Sequence, residues 1–314
     1  MNVVIYPSPN KELNINEKMF CTPPLELTYF KFIEDTTIIS LEQTIQEFTV
    51  QLKPINSITI LLDNYATFII NNLECILSNK HITFYINEND IHYLSSKPKT
   101  FDRYMRFRNK LIDNDHIYIL AFYWYFYKKL YNIKPSNNIC FPKFIVNINL
   151  NINNTPIMKV VLSGAISKQY PMRKHIRSLN HPSVKMISHA DNIRGDDYYL
   201  FLNKHICAFS CCSNNSTPYI VNKFFEIPAS GCLLLAYDEF IKEPLKEIGF
   251  IDGENYISCT KNNVAEKIEY ICDENNIDII NKIRTCGYNL VKNNHTQMNM
   301  YELLITLIEK SKNK

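Results

Sequence analysis

Eight short apolar runs recur along the chain: "NVVIY" (2–6), "SITILL" (57–62), "ITFYI" (82–86), "HIYILAF" (116–122), "KVVLSG" (159–164), "VKMIS" (184–188), "ICAFS" (206–210) and "CLLLAY" (232–237). Within each run hydrophobic residues follow one another almost without alternation. That pattern belongs to strands buried on both faces. The stretches between them carry helical spacing, so strand and helix alternate and parallel sheets are predicted. Four runs precede and four follow "NINLNINNTP" (147–156), an Asn-rich polar stretch that ends in proline. Read as a linker, it divides the chain into α/β domains at 1–153 and 154–298, followed by a final amphipathic helix at 299–314. No internal repeat or long charge block interrupts this plan.

Composition narrows the function classes. Of the 314 residues 46% are hydrophobic and 21% charged, enough apolar material for packed cores. The net charge of +3 is too small and too dispersed for a nucleic-acid partner. Ten cysteines occur without a CxxC pair, which favours reduced, mostly buried thiols over metal or disulfide frameworks. The amino-terminal "MNVVIYPSPN" has no signal-peptide pattern. The longest apolar run, "IYILAFYWYFY" (117–127), is well short of the roughly 20 residues that a membrane span needs. A cytoplasmic protein is expected. Lys128 and Lys129 after the aromatic run leave contact with a membrane surface as a second reading, against a buried strand.

In a parallel α/β domain, ligands bind outside the carboxyl ends of the strands. Three constellations in the second half stand where this matters. In "KVVLSGAISKQYPMRKHIRSL" (159–179) a strand ends in Ser163-Gly164, and a loop with Lys168 and Arg173 enters a helix. Small residues there admit a ligand to the backbone, and the cations with free helical N–H groups suit a phosphate. The plainer reading is a turn glycine and solvated basic residues. In "NNSTPYIVNKFFEIPASG" (214–231), Thr217 can cap a helix with Pro218 at its first position, and Pro228 should end it early. Gly231 then permits the turn into "CLLLAY". Glu226 is either a surface carboxylate paired with Lys223 at i, i+3 or an acceptor for a vicinal diol such as a ribose. Third, in "GYNLVKNNHTQMNMYELLITLIEK" (287–310), His295-Thr296 breaks two helices.

Five stretches in order carry a family resemblance: "QYPMRKHI" (169–176), "YYLFLN" (198–203), "KFFEIPASGCLLLA" (223–236), "GFIDGENYISC" (249–259) and His295-Thr296. Together they resemble GT-B-fold glycosyltransferases of the group 1 class, in the branch described as spore-maturation-protein-like. The resemblance covers about residues 155–300. It implies two Rossmann-like domains with parallel sheets facing across a cleft. The second would bind a nucleotide-sugar donor, a UDP- or GDP-sugar, as substrate; no other cofactor and no metal are implied. The first would bind an acceptor, whether glycan, protein or small molecule. Glu226 matches the glutamate that holds the donor ribose. Gly164, Lys168 and Arg173 fall where the diphosphate is expected, and Gly231 and Asn255 complete the donor site, Asn255 at its far edge. The last helix would cross back to brace the first domain.

The departures from the pattern are specific. Pro218 stands where many relatives place a second glutamate, eight residues before Glu226, and Lys223 replaces an arginine, keeping the charge without the bidentate fork. No matching arginine follows "HT" before Tyr301, and the first half opens without a glycine-rich turn. For charge stabilisation of the leaving diphosphate, Arg173, Lys168 and Lys223 are the candidates. For a base, His92 after the third strand is the candidate, with Asp90, Glu88 and His189 as alternatives. "GDD" (195–197) reads better as a helix start than as a metal motif. Three functions remain open: an active glycosyltransferase, a scaffold on a decayed transferase fold, and a different nucleotide-sugar enzyme such as an epimerase.

Overall fold

The computed structural model describes residues 150–166, 170–187, 195–212 and 220–296 continuously, with strands and scattered positions of the remainder. The chain divides into two compact units, Met1–Lys143 with Met300–Lys314, and Phe144–Asn299. The first unit contains β1 (Asn2–Tyr6), β2 (Thr36–Ser40), β3 (Ser57–Leu62), β4 (Thr83–Glu88), β5 (Ile117–Ala121) and β6 (Ile139–Cys140). All pairings are parallel, in the order β2-β1-β3-β4-β5-β6. The strands expected at 2–6, 57–62, 82–86 and 116–122 are all present. Hydrophobic runs do not mark β2, three of whose five residues are Thr or Ser, or the two-residue edge strand β6.

The second unit holds β7 (Ile157–Leu162), β8 (Val184–Met186), β9 (His205–Cys211), β10 (Leu233–Tyr237) and β11 (Ile257–Cys259), again all parallel. Their order is β11-β10-β9-β7-β8. Among the described residues six α-helices accompany them: α1 (Pro171–Ser178), α2 (Asp196–Asn203), α3 (Lys223–Ala229), α4 (Lys242–Glu247), α5 (Val264–Cys272) and α6 (Ile277–Asn294). The unbroken hydrophobic runs divide by alternation into two cores. Val161, Ala208 and Leu234 point to one face, where Phe224, Phe225 and Ile227 of α3 cover them. Val160, Leu162, Phe209 and Leu235 point to the other, beneath Met172 and Ile176 of α1 and Ile268 and Ile271 of α5. Each Val, Leu, Ile, Phe or Met side chain fully buried in this way contributes about 1.5–3 kcal/mol. A one-residue slip would exchange the two faces, so the cores also fix the strand register.

The Asn-rich stretch taken as a linker is fastened to the second unit. Asn203 Nδ2 donates to the Asn151 carbonyl (2.8 Å), Arg284 Nη2 to that of Asn153 (3.0 Å) and Tyr288 hydroxyl to that of Leu150 (3.1 Å). The divide between the units falls at 143/144, ahead of the expected 153/154. The cause is long-range. These backbone carbonyls are satisfied by side chains from α2 and α6, which local composition does not register.

The strand order creates a crevice. From β7 the chain passes outward to β8 and then returns to β9 on the other side, so β7 and β9 form a topological switch point. Their carboxyl ends, at Leu162 and Cys211, mark where a ligand site belongs.

Candidate functional site

At the end of β7 the chain turns through Gly164 with φ +95°. A Cβ there would lie 2.9 Å from Arg173 Nη1 and 3.4 Å from Lys223 Cε. The φ calls for glycine, since L-residues avoid it, and the ends of two cationic side chains lie close against the position. Arg173, on α1, is 4% exposed. Its Nη1 donates to the Ala165 carbonyl at 3.2 Å, and its guanidinium lies 3.9 Å above the Tyr170 ring. Its Nε has no hydrogen-bond partner. Proline at the first position of α1 presets the helical turn that brings Arg173 back over the strand end.

Lys223 is the first residue of α3. Its Nζ donates to the Tyr198 hydroxyl at 2.8 Å and lies 4.3 Å above the same ring. The Tyr198 hydroxyl in turn lies 2.8 Å from Ser163 Oγ. Glu226, one turn along α3, is half-buried. Burial pushes its carboxyl above the ordinary value, and the Lys223 charge opposes that rise. The i, i+3 ion pair, one of the two readings of Glu226, is not made: among the described residues neither Glu226 nor Arg173 nor Lys223 has an oppositely charged partner within salt-bridge distance. Two cations thus flank a glycine, and among the described residues no carboxylate forms an ion pair with either. Such an arrangement is suited to an incoming anion. Beside it, at the end of β9, burial raises the Cys211 thiol above its usual value while Arg173 pulls it down.

The structure therefore brings Gly164, Arg173 and Lys223 together, with Glu226 alongside. It places two other expected residues elsewhere. Gly231 precedes β10, at the amino end of the sheet, opposite the crevice. Its φ of +75° makes the turn, and its carbonyl accepts from Arg284 Nε (3.0 Å) and Nη2 (2.8 Å). Asn255 precedes β11, and its amide closes its own loop: Oδ1 accepts from Ile251 N (2.9 Å) and Nδ2 donates to the Gly249 carbonyl (2.8 Å). A parallel sheet separates residues before a strand from residues after it, and both lie before.

Lys168, His92, Asp90, His189, Thr217 and Pro218 lie outside the described residues, as do Lys128 and Lys129. Helix α3 runs from Lys223 to Ala229 and not from Pro218 as expected, since residues 220–222 before it are not helical; Pro228 sits in its final turn and the helix ends one residue beyond. "GDD" opens α2, with Asp196 and Asp197 favourably placed in its first turn. His295 ends α6 with its ring 4.6 Å from that of Phe225, and Thr296 donates to Asn299 Oδ1, a turn between helical segments. Two residues of the cluster were not picked out from sequence, Tyr198 and Cys211. Tyr198 lies within the quoted "YYLFLN", where helical spacing puts it on the same face as Leu202. Among the described residues no group of three or more His, Cys, Asp or Glu could hold a metal ion. Among them, too, no helix is long and apolar enough to cross a membrane.

Residues 151–306 match the glycosyl transferase-like family. This half of the chain belongs to that family. The match supports the resemblance at the level of the class and does not reach the finer branch. No curated protein sequence matches the chain significantly. Among solved structures, a glycosyltransferase from Rickettsia africae aligns with a TM-score of 0.63 at 11% identity, covering 99% of this chain and 98% of that one. HepE of Anabaena, solved in complex with UDP and glucose, aligns with a TM-score of 0.68 at 9% identity, covering 98% and 99%. TarM aligns with a TM-score of 0.54 at 12% identity over 82% of this chain and 57% of its own. At these identities the likeness establishes the fold, and the glycosyltransferase has the α/β GT-B architecture of two units with parallel sheets.

Proposed function

We propose that the enzyme transfers a sugar from a nucleotide-diphosphate sugar to an acceptor, with the donor in the crevice between β7 and β9. The observation that carries this reading is the convergence of Arg173 and Lys223 on Gly164, with no carboxylate among the described residues ion-paired to either. A diphosphate lying against the Gly164 backbone would meet a buried guanidinium on one side and an ammonium on the other. These charges are fixed before the leaving group develops its own, which is the condition for electrostatic stabilisation of departure. Glu226, half-buried and without a side-chain partner among the described residues, has both oxygens available to a ribose diol. The UDP and glucose in the HepE structure make UDP-sugars the first donors to try. Catalysis would then need no metal. The acceptor is a glycan, protein or small molecule.

The test is a thermal-shift screen of wild type and Glu226→Ala against UDP, GDP, TDP, CMP and their common sugars. At 100 times its dissociation constant a ligand adds about 2.7 kcal/mol of stability. Stabilisation of wild type by one nucleotide, lost in the variant, is the expected result. Binding of none of them would replace this reading with the non-catalytic scaffold that Pro218, in place of the usual glutamate, favours.

A further inference from the structure

We infer that Tyr198 is a positioning residue, which holds the Lys223 ammonium ready for the donor diphosphate and keeps it from Glu226; the inference rests on the donor reading above. A lysine at the start of α3 has a carboxylate one turn along its own helix and ordinarily closes an i, i+3 pair with it. Here Lys223 Nζ goes to a neutral phenol at 2.8 Å and lies over that ring at 4.3 Å. An ammonium only donates, so the Tyr198 oxygen accepts from it. The phenol's own hydrogen is then free for Ser163 Oγ, 2.8 Å away. Ser163 is buried and immediately precedes Gly164. The relay Ser163–Tyr198–Lys223 thus runs from the end of β7 through α2 to α3, and fixes the lysine relative to the glycine the diphosphate would touch.

This arrangement has two chemical consequences. A phenol holds the ammonium without cancelling its charge, whereas a carboxylate would cancel it. Tying Lys223 to Tyr198 also leaves the Glu226 oxygens unoccupied, so one hydroxyl serves both ends of a nucleoside diphosphate. In Tyr198→Phe the ring and its cation–π contact remain while the acceptor is gone. The lysine is then free to turn to Glu226.

The experiment measures dissociation constants of UDP and uridine for wild type, Tyr198→Phe, Lys223→Met and the double variant. Tyr198→Phe should weaken UDP binding about five- to tenfold, equivalent to about 1–1.4 kcal/mol. Uridine binding should weaken less than UDP binding, and the double variant should be no worse for UDP than Lys223→Met alone. Equal losses for UDP and uridine, or losses that add in the double variant, would overturn the inference, since the tyrosine would then be shaping the pocket generally. UDP binding by wild type with Tyr198→Phe unchanged would remove the positioning role and leave the donor reading intact. If wild type binds none of the nucleotides and nucleotide sugars of the thermal-shift screen, the donor reading falls and this role falls with it; if it binds another in place of UDP, that nucleotide and its nucleoside replace UDP and uridine here. Should Tyr198→Phe fail to fold, Ser163→Ala decides: a loss confined to UDP supports the relay, and no loss overturns it.

Discussion

Replacing Glu226 by glutamine should make the free enzyme more stable and shrink the stabilisation it gains from nucleotide. Burial raises the Glu226 carboxyl above its ordinary value, so the folded state prefers the protonated form. The stability this preference provides is complete below the ordinary carboxylate range and disappears as pH rises through the raised value. Glutamine stays neutral at every pH. The unliganded variant should therefore melt at the same temperature as wild type near pH 4 and at a higher one at pH 8. Binding should move the other way. Two charge-assisted bonds to a diol contribute about 1.5–3 kcal/mol each, and a neutral amide retains one acceptor worth about 0.5–1.5 kcal/mol. A net loss of about 1.5–5.5 kcal/mol corresponds to a Kd weaker by at least about tenfold. With nucleotide at about 100 times the wild-type Kd, wild type gains about 2.7 kcal/mol and the variant at most about 1.3 kcal/mol. Melting curves at two pH values, with and without UDP, read both effects. A pH-independent difference between the unliganded proteins would refute the burial argument, and equal ligand shifts would refute the ribose role.

Two further substitutions test the scaffold on either side of the sheet. Gly164→Ala imposes a side chain at φ +95° and a Cβ 2.9 Å from Arg173 Nη1; the backbone term alone costs about 1–2 kcal/mol. Melting temperature and UDP affinity should both fall, and a variant that keeps wild-type affinity would separate Arg173 from the donor. Arg284→Met removes a buried cation from the carbonyls of Gly231 and Asn153. Leaving them unpaired should cost about 2–5 kcal/mol in denaturant unfolding, and Arg284→Lys should recover little, because an ammonium lacks the fork that spans both.

What could be read from sequence followed from proximity along the chain. Gly164 and Arg173 lie nine residues apart, at a strand end and a helix start, and the rules for those two places locate them. Glu226 and Lys223 share a helix, so their spacing raised the possibility of pairing but could not exclude it. The deciding partner, Tyr198, is 25 residues away on another helix, and only packing brings its hydroxyl to the lysine. Gly231 and Asn255 show the opposite case. Their positions within motif-like stretches suggested a ligand, but strand direction puts both at the amino end of the sheet. Strands β2, β6 and β11 were missed because they are short, polar or both, and edge pairing rather than composition makes them strands.

The fastening of residues 150–153 by Asn203, Arg284 and Tyr288 bears on how this fold can be recombined. A GT-B chain invites exchange of one half for another, with the cut made where the sequence looks most like a tether. Here a cut at 153/154 would strand the tether's carbonyls on the wrong piece. The donated half would carry a buried guanidinium with one of its anchors missing. A workable joint lies upstream, near residue 144, where the units divide. In a chimaera joined there, the strap travels with the sheet it secures.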